Sequence, residues 1–225
     1  MKILQTPEKI NTIIFDVGHT LLFPDAGFLF QLASPFIKLN EQEFQRIGAI
    51  TKEKAYRQEP RNPFKLWFSQ WMLQAGVRSE DLPGLLLGIQ KRHAEKHLWS
   101  MPEPDVPQIL IDLRDAQYKL GIISNSDGSV GPLLEEFGFD TYFECILDSG
   151  VIGIEKPDAR IFLMALEKMH SSPEESLYVG DHVLFDIKAA QSVGMQAVLI
   201  DPFDVVSDSP APKIQRLSQL KSILQ

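Results

Sequence analysis

The sequence predicts an α/β fold, a Rossmann-like parallel sheet with helices on both faces, interrupted by an inserted helical domain. Three observations carry this reading. In the second half of the chain, short apolar runs alternate with stretches of helical periodicity, the rhythm of parallel strands joined by crossover helices. Most of the runs end in a polar residue, Gly or Asp. Residues 21–100 break the rhythm and contain helical patterns with no convincing strand. A chain of 225 residues is long enough for one such domain with an insertion.

Taken in order, the first apolar run is Thr12–Phe15, whose last three residues open IIFDVGHTLL. The insertion follows at once, with FKLWFSQWMLQAG at 64–76 and LLLGIQKRHAEKHLW at 85–99 as its clearest helices. Pro102, Pro104 and Pro107 mark the return to the sheet. The spacing then predicts a helix over 106–116, a strand at 120–123, a helix over 130–137 and a strand at 145–147. Pro157 and Asp158 suit the start of the next helix, where Ile161, Phe162, Ala165, Leu166 and Met169 recur at helical spacing. A strand at 177–179, a helix over 185–192 and a strand at 197–200 complete the alternation. Gly138 and Gly194 fall where helices should stop. The tail KIQRLSQLKSIL reads as one short closing helix with Ile214, Leu217 and Leu220 on its inner face. The expected division is therefore an α/β core of 1–20 and 101–225 and a helical domain of 21–100.

Bulk properties narrow the function. Apolar residues make up 44% and charged residues 23% of the chain, which is ordinary for a globular protein. The net charge of −8 argues against a nucleic-acid surface. No apolar run approaches the ~20 residues needed to span a bilayer, and the apolar stretch in MKILQTPEKIN is too short for a signal peptide. The single cysteine, Cys145, rules out an intramolecular disulfide. It suits a reducing compartment, so a cytoplasmic location is expected. Within FECIL it reads as core rather than as a nucleophile. No pattern specifies an oligomeric state.

In open parallel sheets, ligands bind beyond the carboxyl ends of the strands. The informative residues are therefore those that follow each run. Asp16 follows the first, with Thr20 four positions later; Ser124 and Asn125 follow the second. Lys156, in EKPDARIF, lies downstream of the third, and Gly180, Asp181 and Asp186 follow the fourth. Each has an ordinary explanation by itself, as a turn residue, a cap or a surface charge. Together they fall at the same end of successive strands of one sheet, which such explanations do not account for.

As a set, IIFDVGHTLL, GIISNSDG, GIEKPDARIF and LYVGDHVLFDIKAAQSVGM resemble, in order, the four motifs of the haloacid dehalogenase (HAD) superfamily of hydrolases, most of whose members are phosphatases. The insertion resembles that family's helical cap, which can close over the strand ends and choose the substrate. The resemblance implies a small phosphorylated substrate and Asp16 as the nucleophile that forms an aspartyl-phosphate. It implies Mg²⁺, a hard ion that prefers oxygen ligands, held by Asp16, the Gly18 carbonyl and Asp181, with Asp186 in contact or just behind. Ser124 would hydrogen-bond a phosphoryl oxygen beside the Asn125 N–H, and Lys156 would pair with both nucleophile and phosphate.

One position departs from the pattern. Two residues after the nucleophile, phosphatases of this family usually place an Asp that protonates the leaving group, and here Gly18 stands instead. Three readings follow: a phosphatase that tolerates the gap, a sibling chemistry, or a module that binds a ligand or partner without turnover. His19 is the nearest replacement acid, since imidazole titrates near neutrality. Among sibling chemistries, the dehalogenase branch does not keep the Gly-Asp of 180–181. The phosphonoacetaldehyde-hydrolase-like branch needs a cap lysine to form an imine, with Lys38, Lys52, Lys54 and Lys65 as the available residues.

Within the insertion, Trp67, Trp71, Trp99, Phe64 and Phe68 read as helix-bundle core before a substrate platform. Arg57 and Arg61 could hold an anionic substrate but read first as solvated charge. His93 and His97 lie one helical turn apart, a spacing compatible with a metal but without an evident third ligand.

Overall fold

The structure is a computed structural model that describes residues 4, 9–58 and 63–224. In chain order, strand β1 (Thr12–Phe15) and a two-residue strand β2 (Leu22–Phe23) come first. Four helices follow: α1 (Ala26–Ala33), α2 (Glu41–Gln58), α3 (Pro63–Ala75) and α4 (Leu82–Glu95). After β3 (Met101–Pro102) come α5 (Val106–Asp115), β4 (Lys119–Ser124), α6 (Val130–Glu136), β5 (Cys145–Asp148), α7 (Ser149–Ile152) and α8 (Ala159–Lys168). Strand β6 (Ser176–Gly180) leads into a π-helical segment, Val183–Lys188, that continues as α9 (Ala189–Ser192). Strands β7 (Gln196–Ile200) and β8 (Lys213–Ile214) and the short helix α10 (Leu220–Ile223) end the chain. It divides into two compact units, residues 1–23 with 102–225, and residues 24–101.

In the first unit, six of the described strands form one parallel sheet in the order β5-β4-β1-β6-β7-β8. Strand β1 lies between β4 and β6, with Phe15 opposite Ile122 on one side and Val179 on the other. Its four residues are buried, as a strand covered on both faces requires. On one face, Ile14, Ile123, Leu147, Phe162, Tyr178 and Leu199 belong to a single core cluster. Each such side chain contributes roughly 1.5–3 kcal/mol when fully buried. The Asp158 side chain accepts the Arg160 N–H and caps α8, whose Ile161, Phe162, Ala165 and Leu166 turn inward. Cys145 is buried, and burial raises its thiol above the ordinary range.

The sequence reading is corrected at three places. The tail is not a single helix: Ile214 lies on β8, paired with Ile200, and only the residues after it turn helical. The segment expected as a regular helix over 185–192 begins two residues earlier with π geometry. Strand β2 lies where no strand was expected. Strands of two residues carry no periodicity, so β2 and β8 could not be read from pattern.

The helical unit has its own core of Leu29, Phe44, Trp67, Phe68, Trp71, Met72, Leu85 and Ile89. Trp67 and Trp71 stack at 5.5 Å between ring centroids. Each indole N–H finds a carbonyl on α2: Trp67 donates to Gly48 O and Trp71 to Phe44 O, both at 2.8 Å. These rings are thus packed and hydrogen-bonded within the bundle, while Phe64 is partly exposed at 39%. Arg57 is solvent-facing and paired with Glu53; Arg61 lies outside the described residues. His93 uses Nδ1 to accept the Leu98 N–H, which takes that nitrogen away from any metal. Arg92 pairs with Asp25, the N-cap of α1, at 3.0 Å and so ties the two ends of the unit together. No helix among the described residues is long and apolar enough to cross a membrane.

Gly48 marks the tightest approach in this bundle. A Cβ at this position would sit 2.5 Å from the Trp71 ring. Replacing Gly by Ala in a helix normally gains about 1 kcal/mol of propensity. The rigid indole, fixed by its hydrogen bond, cannot yield, and overpacking of this kind costs about 1–3 kcal/mol. Gly48→Ala is therefore expected to lower the urea midpoint despite its better helix propensity; a midpoint at or above that of the parent would contradict this packing.

Candidate active site

The site assembles where β1, β4 and β6 end. Asp16 is the first residue beyond β1, anchored by its own N–H to Val179 O at 2.9 Å. It is buried, 6% exposed. Asp181 follows β6 directly, and Asp186 lies one turn on, inside the π-helical segment. Carboxylate oxygens of Asp16, Asp181 and Asp186 lie within 4.8 Å of one another. Lys156 arrives on the loop before α8 and is 3% exposed. Its Nζ donates to Asp16 Oδ1 at 2.6 Å, to Asp186 Oδ1 at 2.6 Å and to Tyr178 Oη at 3.0 Å.

Local sequence explains how these groups are aimed. The other oxygen of Asp186 accepts the N–H groups of Asp181 and His182, at 3.1 and 2.9 Å. That fold-back requires a residue without a side chain at the end of β6, because a Cβ on Gly180 would lie 2.5 Å from the Asp186 carboxyl carbon. His182 Nδ1 accepts the N–H groups of Leu184 and Phe185 and so caps the π segment. Such π turns recur at functional sites, where they re-aim a side chain. Thr20 reaches back to Asp16 Oδ2 at 3.4 Å.

The remaining residues marked by sequence sit around this knot. Ser124 is buried at the end of β4, two residues past the Ile122 that faces Phe15. Asn125 follows it, and its side-chain amide bonds both backbone groups of Lys156, Nδ2 to O at 2.9 Å and N–H to Oδ1 at 2.8 Å. Gly18 lies in the turn after β1 and bridges to Leu22. His19 beside it has φ +58° and an imidazole edge-on to Phe23 at 5.7 Å. Two residues escaped the sequence reading. Tyr178 sits mid-strand in LYVGD, where an aromatic reads as core. Asp148 closes β5 and gathers the Gly128, Val130 and Gly150 N–H groups at 2.9–3.1 Å, shaping the loop that follows Ser124 and begins with Asn125. An Asp at a strand end is the signal the sequence offers for it.

The electrostatics are those of a site short of positive charge. Burial pushes Asp16 up to about 7; Lys156 pulls the other way, and Asp186 and Asp181 add to the rise. Burial alone would lower Lys156, but the Asp16 and Asp186 carboxylates outweigh it and hold the ammonium well above its ordinary value. Burial likewise holds the Tyr178 phenol well above its usual range. Three carboxylates face one ammonium, so an excess of negative charge is left. A hard divalent cation fits such a set of clustered carboxylate oxygens. It would also keep Asp16 ionised.

Residues 13–200 match the model of the haloacid dehalogenase-like hydrolase family. The chain is 33% identical to glyceraldehyde 3-phosphate phosphatase of Methanothermobacter thermautotrophicus, covering 85% of this chain and 86% of that one. It is 35% identical to the protein of the same name from Methanopyrus kandleri, covering 85% and 84%. Among solved structures, a HAD phosphatase from Thermococcus onnurineus superposes with a TM-score of 0.61 at 25% identity, over 96% of this chain and 98% of that one. The match runs from β1 through β7 and so includes every strand end that contributes to the acid–lysine cluster. This chain belongs to the haloacid dehalogenase-like hydrolase family.

Proposed function

We propose that the chain is a Mg²⁺-dependent phosphatase acting through an aspartyl-phosphate on a small phosphorylated metabolite, without a carboxylic acid at position 18. The observation that carries this reading is the buried Lys156 ammonium, 2.6 Å from both Asp16 and Asp186, with Asp181 in the same cluster. In the proposed reaction, a carboxylate oxygen of Asp16 attacks phosphorus, and the bond from phosphorus to the leaving oxygen breaks. Water then attacks phosphorus, restoring the carboxylate and releasing phosphate. Ser124 and the Asn125 N–H would hold phosphoryl oxygens, while Lys156 offsets charge around the nucleophile. Asp16, Asp181 and the Gly18 carbonyl would hold the ion. Asp186 has both oxygens engaged by Lys156 and backbone N–H groups, which suits a supporting place beside the ion. When bound, Mg²⁺ would offset the charge of the phosphoryl group and of the clustered carboxylates.

We assign the helical unit the role of the specificity cap. The relatives named as glyceraldehyde 3-phosphate phosphatases make a three-carbon sugar phosphate the first metabolite to assay. The single, buried Cys145 suits the reducing cytoplasm.

Turnover of an aryl phosphate by the purified protein should require Mg²⁺, disappear on chelation and return on readdition. Asp16→Asn should abolish it while leaving the melting curve cooperative. An Asp16→Asn protein as active as the parent overturns the nucleophile assignment.

Position 18 sets the preference among leaving groups. General acid catalysis is worth roughly 10²- to 10⁴-fold and matters most for alkoxides, which leave poorly as anions. The parent should therefore favour aryl over alkyl phosphates strongly. Gly18→Asp should raise kcat on an alkyl phosphate by about tenfold or more and narrow that preference. An unchanged alkyl-to-aryl ratio would mean that the acid is supplied from elsewhere.

A further inference from the structure

We infer that Asn125 and Tyr178 are positioning residues for Lys156, one gripping its backbone and the other its ammonium. The inference rests on the phosphatase reading for its catalytic consequence but not for its geometry. A lysine ammonium has three N–H donors. Here all three have acceptors: Asp16 at 2.6 Å, Asp186 at 2.6 Å and Tyr178 Oη at 3.0 Å. The Tyr178 hydroxyl passes its own proton on, donating to Ile123 O at 3.1 Å. Tyr178 lies on β6 and Ile123 on β4, the two strands that flank β1. The third donor of Lys156 is thus tied to the framework on both sides of the nucleophile.

At the other end, the Asn125 amide matches the Lys156 peptide group for group. Its Nδ2 donates to Lys156 O at 2.9 Å, and its Oδ1 accepts the Lys156 N–H at 2.8 Å. Asn125 is exposed, so this pairing is not a packing necessity. The pairing uses Oδ1 and one of the two Nδ2 donors of the amide, and the backbone N–H of Asn125 is the group assigned to the phosphoryl oxygen. A free lysine side chain samples many rotamers. Two anchors remove that freedom before substrate arrives, leaving the ammonium aimed at the two acids.

Plain structural roles exist for both residues. Tyr178 is fully buried with its ring 5.2 Å from Phe162, and Asn125 sits in a turn. Conservative variants separate the two accounts. Tyr178→Phe keeps the ring and removes the hydroxyl, and with it both the acceptor for Lys156 and the donor to Ile123 O. Asn125→Asp keeps an acceptor for the Lys156 N–H but loses the donor, and Asn125→Ala loses both.

The test has two readouts on the full chain. One is hydrogen exchange of the Lys156 side-chain ammonium, followed by nitrogen-15 NMR in Mg²⁺-free buffer and assigned with Lys156→Met. The other is kcat and KM on an aryl phosphate with Mg²⁺. Exchange should quicken about tenfold in Tyr178→Phe and Asn125→Ala, with Asn125→Asp between the latter and the parent. The drop in kcat should follow the same order with KM within about threefold. Folded variants whose exchange and kcat both match the parent overturn the clamp. A parent that turns over no phosphate but shows the graded exchange overturns the phosphatase reading and leaves the clamp standing. An active parent with ungraded exchange does the reverse.

Discussion

The contact on which the rest of the site depends is the buried ammonium of Lys156, held between the carboxylates of Asp16 and Asp186. Burial disfavours an isolated carboxylate by several kcal/mol, and the ammonium between these two offsets that cost. Breaking one partner out of such a pair typically costs about 3–5 kcal/mol, since the other charge is left uncompensated. The knot joins residues 140 and 30 positions apart in sequence. Only a sheet that brings β1, β6 and the loop before α8 to one rim can form it.

The surrounding backbone is built to that requirement. Parallel strands deliver their carboxyl ends to a single edge, and β1 sits inside the sheet with neighbours on both sides. Asp186 converts two backbone N–H groups into supports for the turn that carries Asp181. Gly180 leaves room for this, and the π turn supplies the change of direction. Asp148 does comparable work for the loop after β4. Carboxylates thus appear in two capacities, some facing the cluster and others consumed in shaping the loops that present it.

Family membership and the site's departure from the family pattern bear on different parts of the reaction. The match covers β1 through β7 and makes the chain a haloacid dehalogenase-like hydrolase. In the proposed reaction, Gly18 bears on proton supply to the leaving group and leaves the proposed nucleophile, the lysine and the acid cluster as they are. Under the proposed reading, the chemistry of phosphorus is retained and the range of leaving groups is narrowed. His19 beside it holds a left-handed backbone conformation with its ring against Phe23.

The sequence by itself determined the alternation of strands and helices, the helical insertion and the order of Asp16, Lys156, Asp181 and Asp186 along the chain. These are legible because periodicity and strand-end position are local properties, readable within a dozen residues. What only the tertiary structure decided is how those residues are held: Tyr178 facing Lys156, the Asn125 side chain turned onto the Lys156 peptide, Asp148 gathering three N–H groups, the π turn at 183–188 and the pairing of β8. An aromatic in a buried strand reads as core whichever way its hydroxyl points, and an Asn in a turn reads as turn chemistry. Their partners lie 22 and 31 residues away, so their roles arise only when the sheet closes that separation.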